Sequence, residues 1–310
     1  MTADKPNWFQ VAFQLQGSVI PTVFPRVLMC GGLGVLVSLL HKLELPVSLP
    51  ILGSIIPNVV FNLVLGLLLV FRTNTAYERF WEGRKSWGTL VVNVRNLARQ
   101  IQVSVAVLEP MDQENKAAAL RLLSAFAIAT KLHLRQEPIN TELEGLLAPL
   151  QVLKLKSVKT PPLEITLWLG DYLQQQQQRH CLSMDQLTAM NSLIDKLVEA
   201  LTGCERIINT PMPLAYAIHL KQLMLLYCLS LPFQIVNELN WWTGFTVGLI
   251  SFTLLGLEAI GIEIENPFGQ DSNDLPLDEI CTTILQNIED FISPNSSDRS
   301  TIEASKTLQV

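Results

Sequence analysis

Four apolar stretches, at residues 27–40, 51–71, 220–236 and 243–262, constrain this chain more than any other feature. The first two carry no charge at all. Residues 51–71 supply about the 20 apolar residues that a helix needs to cross a hydrocarbon core roughly 30 Å thick. Residues 27–40 are fewer but are flanked by Arg26 and by His41 and Lys42, whose side chains can snorkel to the polar level. The third stretch opens with Lys221, and the fourth holds Glu258 near its polar end. The tight "NELNWW" between them predicts a hairpin with Trp241 and Trp242 in an interface belt. Charged residues make up 16% of the chain, against about 25% in an ordinary soluble domain, which agrees with four membrane spans.

The remaining segments follow from these spans. Residues 1–25, with Trp8, Phe9, Phe13 and Phe24, read as an interfacial lead-in, and residues 26–71 as the first two membrane helices. Residues 72–212 lack a comparable apolar run but place apolar side chains three and four apart, as in "ALRLLSAFAIATKLHL" and "MNSLIDKLVEALTGCERII", so a helical soluble domain is expected. The glutamine run at 174–178 reads as a solvated helix face. Residues 213–264 hold the second helix pair, 265–292 an acidic segment ending in a helix, and 293–310 a tail whose composition predicts disorder. Arg26, Arg72, Arg79, Arg84, Lys85 and Lys221 cluster at one set of span ends, so the positive-inside rule predicts both termini and the middle domain in the cytoplasm.

Several function classes are excluded. No Lys/Arg stripe with interleaved aromatics marks a nucleic-acid surface. Five scattered cysteines without CxxC spacing fit reduced thiols. His41, His133, His180 and His219 belong to no HExxH pattern, and no GxSxG or Walker loop occurs, so neither a catalytic nor a metal centre is expected.

Candidate functional residues lie where the second span leaves the bilayer. Along it, Ile56, Val60 and Val64 share one face that continues to Leu67 and Phe71. That face meets lipid, another helix or, around a symmetric axis, a narrow apolar tube that gates by expelling water. Asn58 and Asn62 form a second row suited to interhelical hydrogen bonds. Directly after comes "FRTNTAYERFWEGRKSWG", residues 71–88, with Tyr77, Arg84 and Gly88 on one helix side and Phe80, Trp87, Val91 and Val94 on another. Such a run joins a membrane helix to a soluble body through aromatics and charges. Antiparallel packing brings Arg26, Arg72, Lys221 and Glu258 to similar depth, so a Lys221–Glu258 pair is expected, with a positive surplus at the inner mouth that would concentrate anions.

Three runs, "FRTNTAYERFWEGRKSWG", "ERIINTPMPLAYAIHLKQ" and "IENPFGQDSNDLPLDE", occur in order across nearly the whole chain and resemble the signatures of bestrophin-family channels in their bacterial and plant branch, including plant thylakoid and cyanobacterial members. The matching residues are Arg72, Asn74, Tyr77, Arg79, Trp81, Glu82, Arg84, Pro211, Pro213, Asn266, Pro267, Asp271 and Asp274. The resemblance implies an all-α homopentameric channel with four transmembrane helices per subunit, a helical cytosolic domain and no cofactor. It also puts a three-layer apolar neck in the second helix, hence Ile56, Val60 and Val64, and favours chloride or other small anions in a plasma or thylakoid membrane. A cation-selective channel and a non-conducting scaffold or regulatory subunit remain as alternatives. Animal members hold calcium in the run after the fourth span. Here Asn266, Asp271 and Asp274 match, but the acidic cluster is thinned to "QDSND", and EF-hand spacing fails at Leu275 and Thr282. Asp274 is instead expected to cap the following helix, with Pro276 in its first turn.

Overall fold

The structure is a computed structural model that describes residues 8–45 and 59–293. Among them the fold is helical, without strands. The helices are α1 Trp8–Ala12, α2 Ile20–Lys42, α3 Val59–Ser104, α4 Pro110–Arg135, α5 Thr141–Glu144 and α6 Pro149–Ser157. They continue as α7 Pro161–Gln178, α8 Met184–Asn209, α9 Leu214–Leu239, α10 Thr243–Glu263 and α11 Leu277–Ile292. The chain divides into two compact units. One holds residues up to Trp81 with Thr210–Asp274; the other holds Glu82–Asn209 and the residues from Leu275 onward. The predicted tail at 293–310 lies, beyond Ser293, outside the described residues.

The first unit contains the apolar helices α2, α9, α10 and the first part of α3, which make the chain an integral membrane protein. Helices are the form that satisfies every backbone group within its own segment when water is absent. α2 begins at Ile20, ahead of the expected start at Arg26, because Pro21 suits a first turn whose N–H groups have no partner anyway. α2 packs extensively along α10. Glycines permit it: a Cβ on Gly34 would stand 2.8 Å from Gly244 Cα, and one on Gly244 would stand 2.5 Å from Val35 Cγ2. Between lipid-like surfaces, close backbone approach is what gives two helices their attraction. Cys30, Cys228, Leu231 and Val247 fill the space where α9 joins this pair. One turn of 3₁₀ helix at Asn240–Trp242 closes the α9–α10 hairpin. There Ser38 donates to Asn240 O at 2.6 Å, and the Lys42 ammonium sits 4.6 Å from the Trp241 ring.

The second unit is built around α4. This helix is apolar enough to cross a membrane, yet 78% of its most apolar stretch is buried inside the protein, against 22–33% in the helices of the first unit. The expected one-sided stripe is instead burial nearly all round from Ala119 to Leu132, because α5, α7, α8 and α11 all pack on α4. Its buried charges are each matched. Asp112 accepts from the N–H groups of Leu108 and Glu109 and takes the Arg179 guanidinium in a fork of 2.5 and 3.2 Å. Arg179 and these N–H groups hold its carboxyl below the ordinary 3.8 despite burial. Lys116 donates to Gln102 O and Val105 O at 2.7 and 2.9 Å, placing a cation on the last carbonyls of α3. Lys131 bridges Glu142 and Asp278 at 3.0 and 2.9 Å, and Arg135 adds a second bond to Asp278. Among the described residues all five cysteines are free and buried, and burial pushes the Cys204 and Cys281 thiols up to about 12.

Candidate ion pathway and the charged end of the membrane unit

Within the first unit, α3 buries one side and leaves another bare. Leu65 and Leu69 pack against Leu220 and Met224 of α9, Phe61 stacks on Tyr227, and the Tyr216 hydroxyl donates to Leu68 O at 2.6 Å. On the uncovered side Val60 is 65% exposed, Val64 44% and Phe71 60%, with Leu67 between them. Of the three expected neck residues, Val60 and Val64 thus lie on one bare apolar face, and Ile56 lies outside the described residues. Asn58 is outside them too, and Asn62 is exposed.

Directly after Phe71, α3 meets a polar knot. The Arg72 side chain is 5% exposed and donates to Glu265 Oε2 at 3.2 Å and to Met212 Sδ at 3.1 Å. Glu265 Oε1 accepts from Met212 N–H at 3.1 Å. Arg79 donates to the carbonyls of Glu265 and Thr210. One carboxylate and two arginines therefore fasten the strand of chain that leads into α9 and the end of α10 to α3. Pro213 takes the N-cap position of α9, with Pro211 exposed two residues before. An arginine this deep needs a matched acid and geometry good enough to offset its desolvation.

Lys221 reaches Glu258 at 3.9 Å, as an ion pair without a hydrogen bond. Glu258 is 2% exposed and its Oε1 has no hydrogen-bond partner, while the Lys221 side chain is 58% exposed. The expected positive surplus is smaller by one: Glu265 matches Arg72, so Arg26, Arg72 and Lys221 stand against two carboxylates, Glu265 and Glu258, with Arg26 exposed. The hint was present, since Glu265 immediately precedes the Asn266 of the third motif. What sequence reasoning lacked was the 193-residue separation being closed.

The other signature residues have mainly architectural contacts. Asn74 donates to Glu78 at 3.1 Å, while Tyr77 and Trp81 are 55% and 42% exposed. In the second unit Glu82 pairs with Arg206, Arg84 is exposed, and Trp87 and Val94 are fully buried. After α10, Asn266 Oδ1 accepts from Phe268 N–H at 3.3 Å, and Pro267 and Phe268 are buried. Asp274 does not cap α11. Its Oδ2 accepts from Asp271 N–H at 2.8 Å and closes the loop, while Pro276, not a residue inside the first turn, holds the N-cap position. Asn273 donates to Gly17 O at 3.0 Å and Glu263 Oε1 at 2.7 Å, tying the segment before α2 to this loop. Gly17 has φ +77, where a side chain would be strained.

Calcium takes six to eight oxygen ligands. Among the described residues no three Asp, Glu, His or Cys side chains gather on one point; Asp274 Oδ2 accepts from Asp271 N–H, and its Oδ1 is buried.

Comparison with known proteins agrees with this architecture. The family model for Bacterial/Fungal Bestrophin protein matches residues 1–290. A voltage-dependent anion channel-forming protein of Nostoc sp. is 61% identical over 297 residues, covering 95% of each chain. Another so named, of Synechocystis sp., is 54% identical over 285 residues and 92% of each chain. The crystal structure of a bacterial Bestrophin homolog from Klebsiella pneumoniae superposes with a TM-score of 0.76 at 28% identity, covering 87% of this chain and 98% of that one. The match over nearly the whole chain agrees with the four membrane helices, and the chain belongs to the bestrophin family.

Proposed function

We propose that this protein is a passive channel for chloride and other small anions, assembled from several identical subunits, most simply five, around α3. The observation that carries the reading is the bare face of α3: Val60, Val64 and Phe71 are exposed on a helix whose opposite side is packed. A ring of such faces makes a narrow greasy constriction that passes ions only when wetted. The relatives named as anion channel-forming proteins, matched over nearly their full length, favour anions over cations. Ile56, Val60 and Val64 form the neck in this reading, and both termini and the second unit face the cytoplasm, in the plasma or thylakoid membrane. No ion need bind tightly, and no covalent step occurs.

The charge at the inner mouth acts through Lys221. Arg72 is buried and matched, so its role is to hold the Met212–Pro213 segment, whereas Lys221 is exposed beside a loosely paired Glu258. Chemical cross-linking in mild detergent is expected to give a ladder ending at the full assembly, and recording under asymmetric chloride is expected to give anion current. A purely monomeric protein, or vesicles that stay ion-tight, would overturn the reading.

A further inference from the structure

The cavity between α4, α6 and α7 in the second unit plays no part in conduction as described above. Its volume is about 510 Å³, within the roughly 300–1,000 Å³ usual for small-molecule sites. Trp168 and Tyr172, one turn apart on α7, share the face that lines it. The next turn contributes Gln176, the one member of the glutamine run that is buried, at 4% exposure. Neither its amide nor the Tyr172 hydroxyl has a hydrogen-bond partner among the described residues. Gln176 carries no orphaned buried atom, so its amide meets the water of the cavity, which a ligand's polar group can displace if it reproduces that hydrogen bond.

The charges around the cavity select the ligand. Arg121 is occupied by Glu289 at 3.2 Å, and Arg179 by the fork to Asp112. Asp171, also lining it, has no ion pair among the described residues. The cavity therefore combines aromatic walls, neutral hydrogen-bonding groups and one uncompensated negative charge. Aromatic faces attract cations, and quaternary ammonium ions are the ligands that such walls hold best. We infer that this cavity is a binding site for a small organic ammonium ion bearing a hydroxyl or carbonyl, held by Trp168, Tyr172 and Asp171, with Gln176 bonding its polar end. An anion is disfavoured, because both arginines are already matched.

The test uses the full-length protein in detergent, titrated calorimetrically with choline chloride against a sodium chloride control. The result expected is saturable binding, weakened at least tenfold by Asp171→Asn and by Trp168→Leu. The uncharged carbon analogue of choline, with a quaternary carbon in place of nitrogen, is expected to bind at least tenfold more weakly. Gln176→Leu is expected to weaken choline but leave tetramethylammonium unchanged. Should Trp168→Leu fail to fold, Asp171→Asn still decides, since Asp171 is exposed and forms no bond that folding needs. Absence of saturable binding, equal binding of the carbon analogue, or undiminished binding by Asp171→Asn would overturn the site. The readout is independent of current, so conduction can fail or hold separately.

Discussion

At the scale of single residues, the charges that matter most are those with one partner and little water. Glu265→Ala removes the acid from Arg72 and the acceptor from Met212 N–H together. The expected cost is about 3–5 kcal/mol, the usual penalty for leaving one member of a buried pair alone. A thermal melt in detergent followed by circular dichroism reads it, and an unchanged midpoint would mean the pair is idle. In the second unit, ion pairs and hydrogen bonds to two carboxyls set an acid limit against the opposing effect of burial. Arg179 depresses the Asp112 carboxyl, and Lys131, aided by Arg135, depresses that of Asp278, each below 3.8. Between each folded value and 3.8 the unfolded chain binds the proton and the folded chain does not, so stability rises with pH there. The stabilisation is complete well above pH 4 and is lost as pH falls through the folded values. Denaturant titrations at descending pH are expected to show the midpoint dropping below about pH 4, and less so in Asp112→Asn. These partnerships were only partly readable beforehand. Counting depth along antiparallel helices paired Lys221 with Glu258 and brought Arg72 level with them, but it stopped at Glu258 and so missed Glu265, which lies beyond the end of α10.

At the scale of elements, the α2–α10 pairing depends on two absent side chains. Gly34→Val puts a Cβ 2.8 Å from Gly244 Cα, and Gly244→Val puts one 2.5 Å from the Val35 side chain and 3.1 Å from Val35 N, so neither fits without opening the pair. Both are expected to abolish recovery of folded protein, measured by size-exclusion chromatography after extraction. Gly66→Ala, with nothing within 4 Å of the added carbon, is expected to behave as the parent. Apolar length sufficed to locate α2, α9, α10 and the membrane part of α3, since only a bilayer needs such runs. α4 is also apolar enough to cross a membrane, but the charged residues along it, Asp112, Lys116 and Lys131, already marked it in the sequence as part of the soluble helical domain, and each is matched inside the protein. The cap of α11 was misjudged because an aspartate three residues from a turn amide has a nearer donor than the helix. The glutamine run was misjudged at one residue in five, Gln176, because helix periodicity turns every third or fourth position inward.

At the scale of the whole molecule, one bare helix face has to be covered by something. If copies of the chain cover it by surrounding a common axis, polar substitutions there hydrate the constriction and do not destabilise the subunit. Val64→Asn, and Val60→Asn with it, are therefore expected to raise single-channel conductance several-fold with an unaltered melting midpoint. Lipid coverage predicts the reverse, a loss of stability with unaltered current. Charge reversal at Lys221 is expected to move the reversal potential toward that of the cation, whereas reversal at Arg72 is expected to unfold the knot and leave no channel to record. The most direct measurement is the reversal potential of the purified protein in planar bilayers under a potassium chloride gradient. It is expected to lie close to the chloride equilibrium potential. A reversal near the potassium value, or a bilayer that carries no current, would contradict an anion channel.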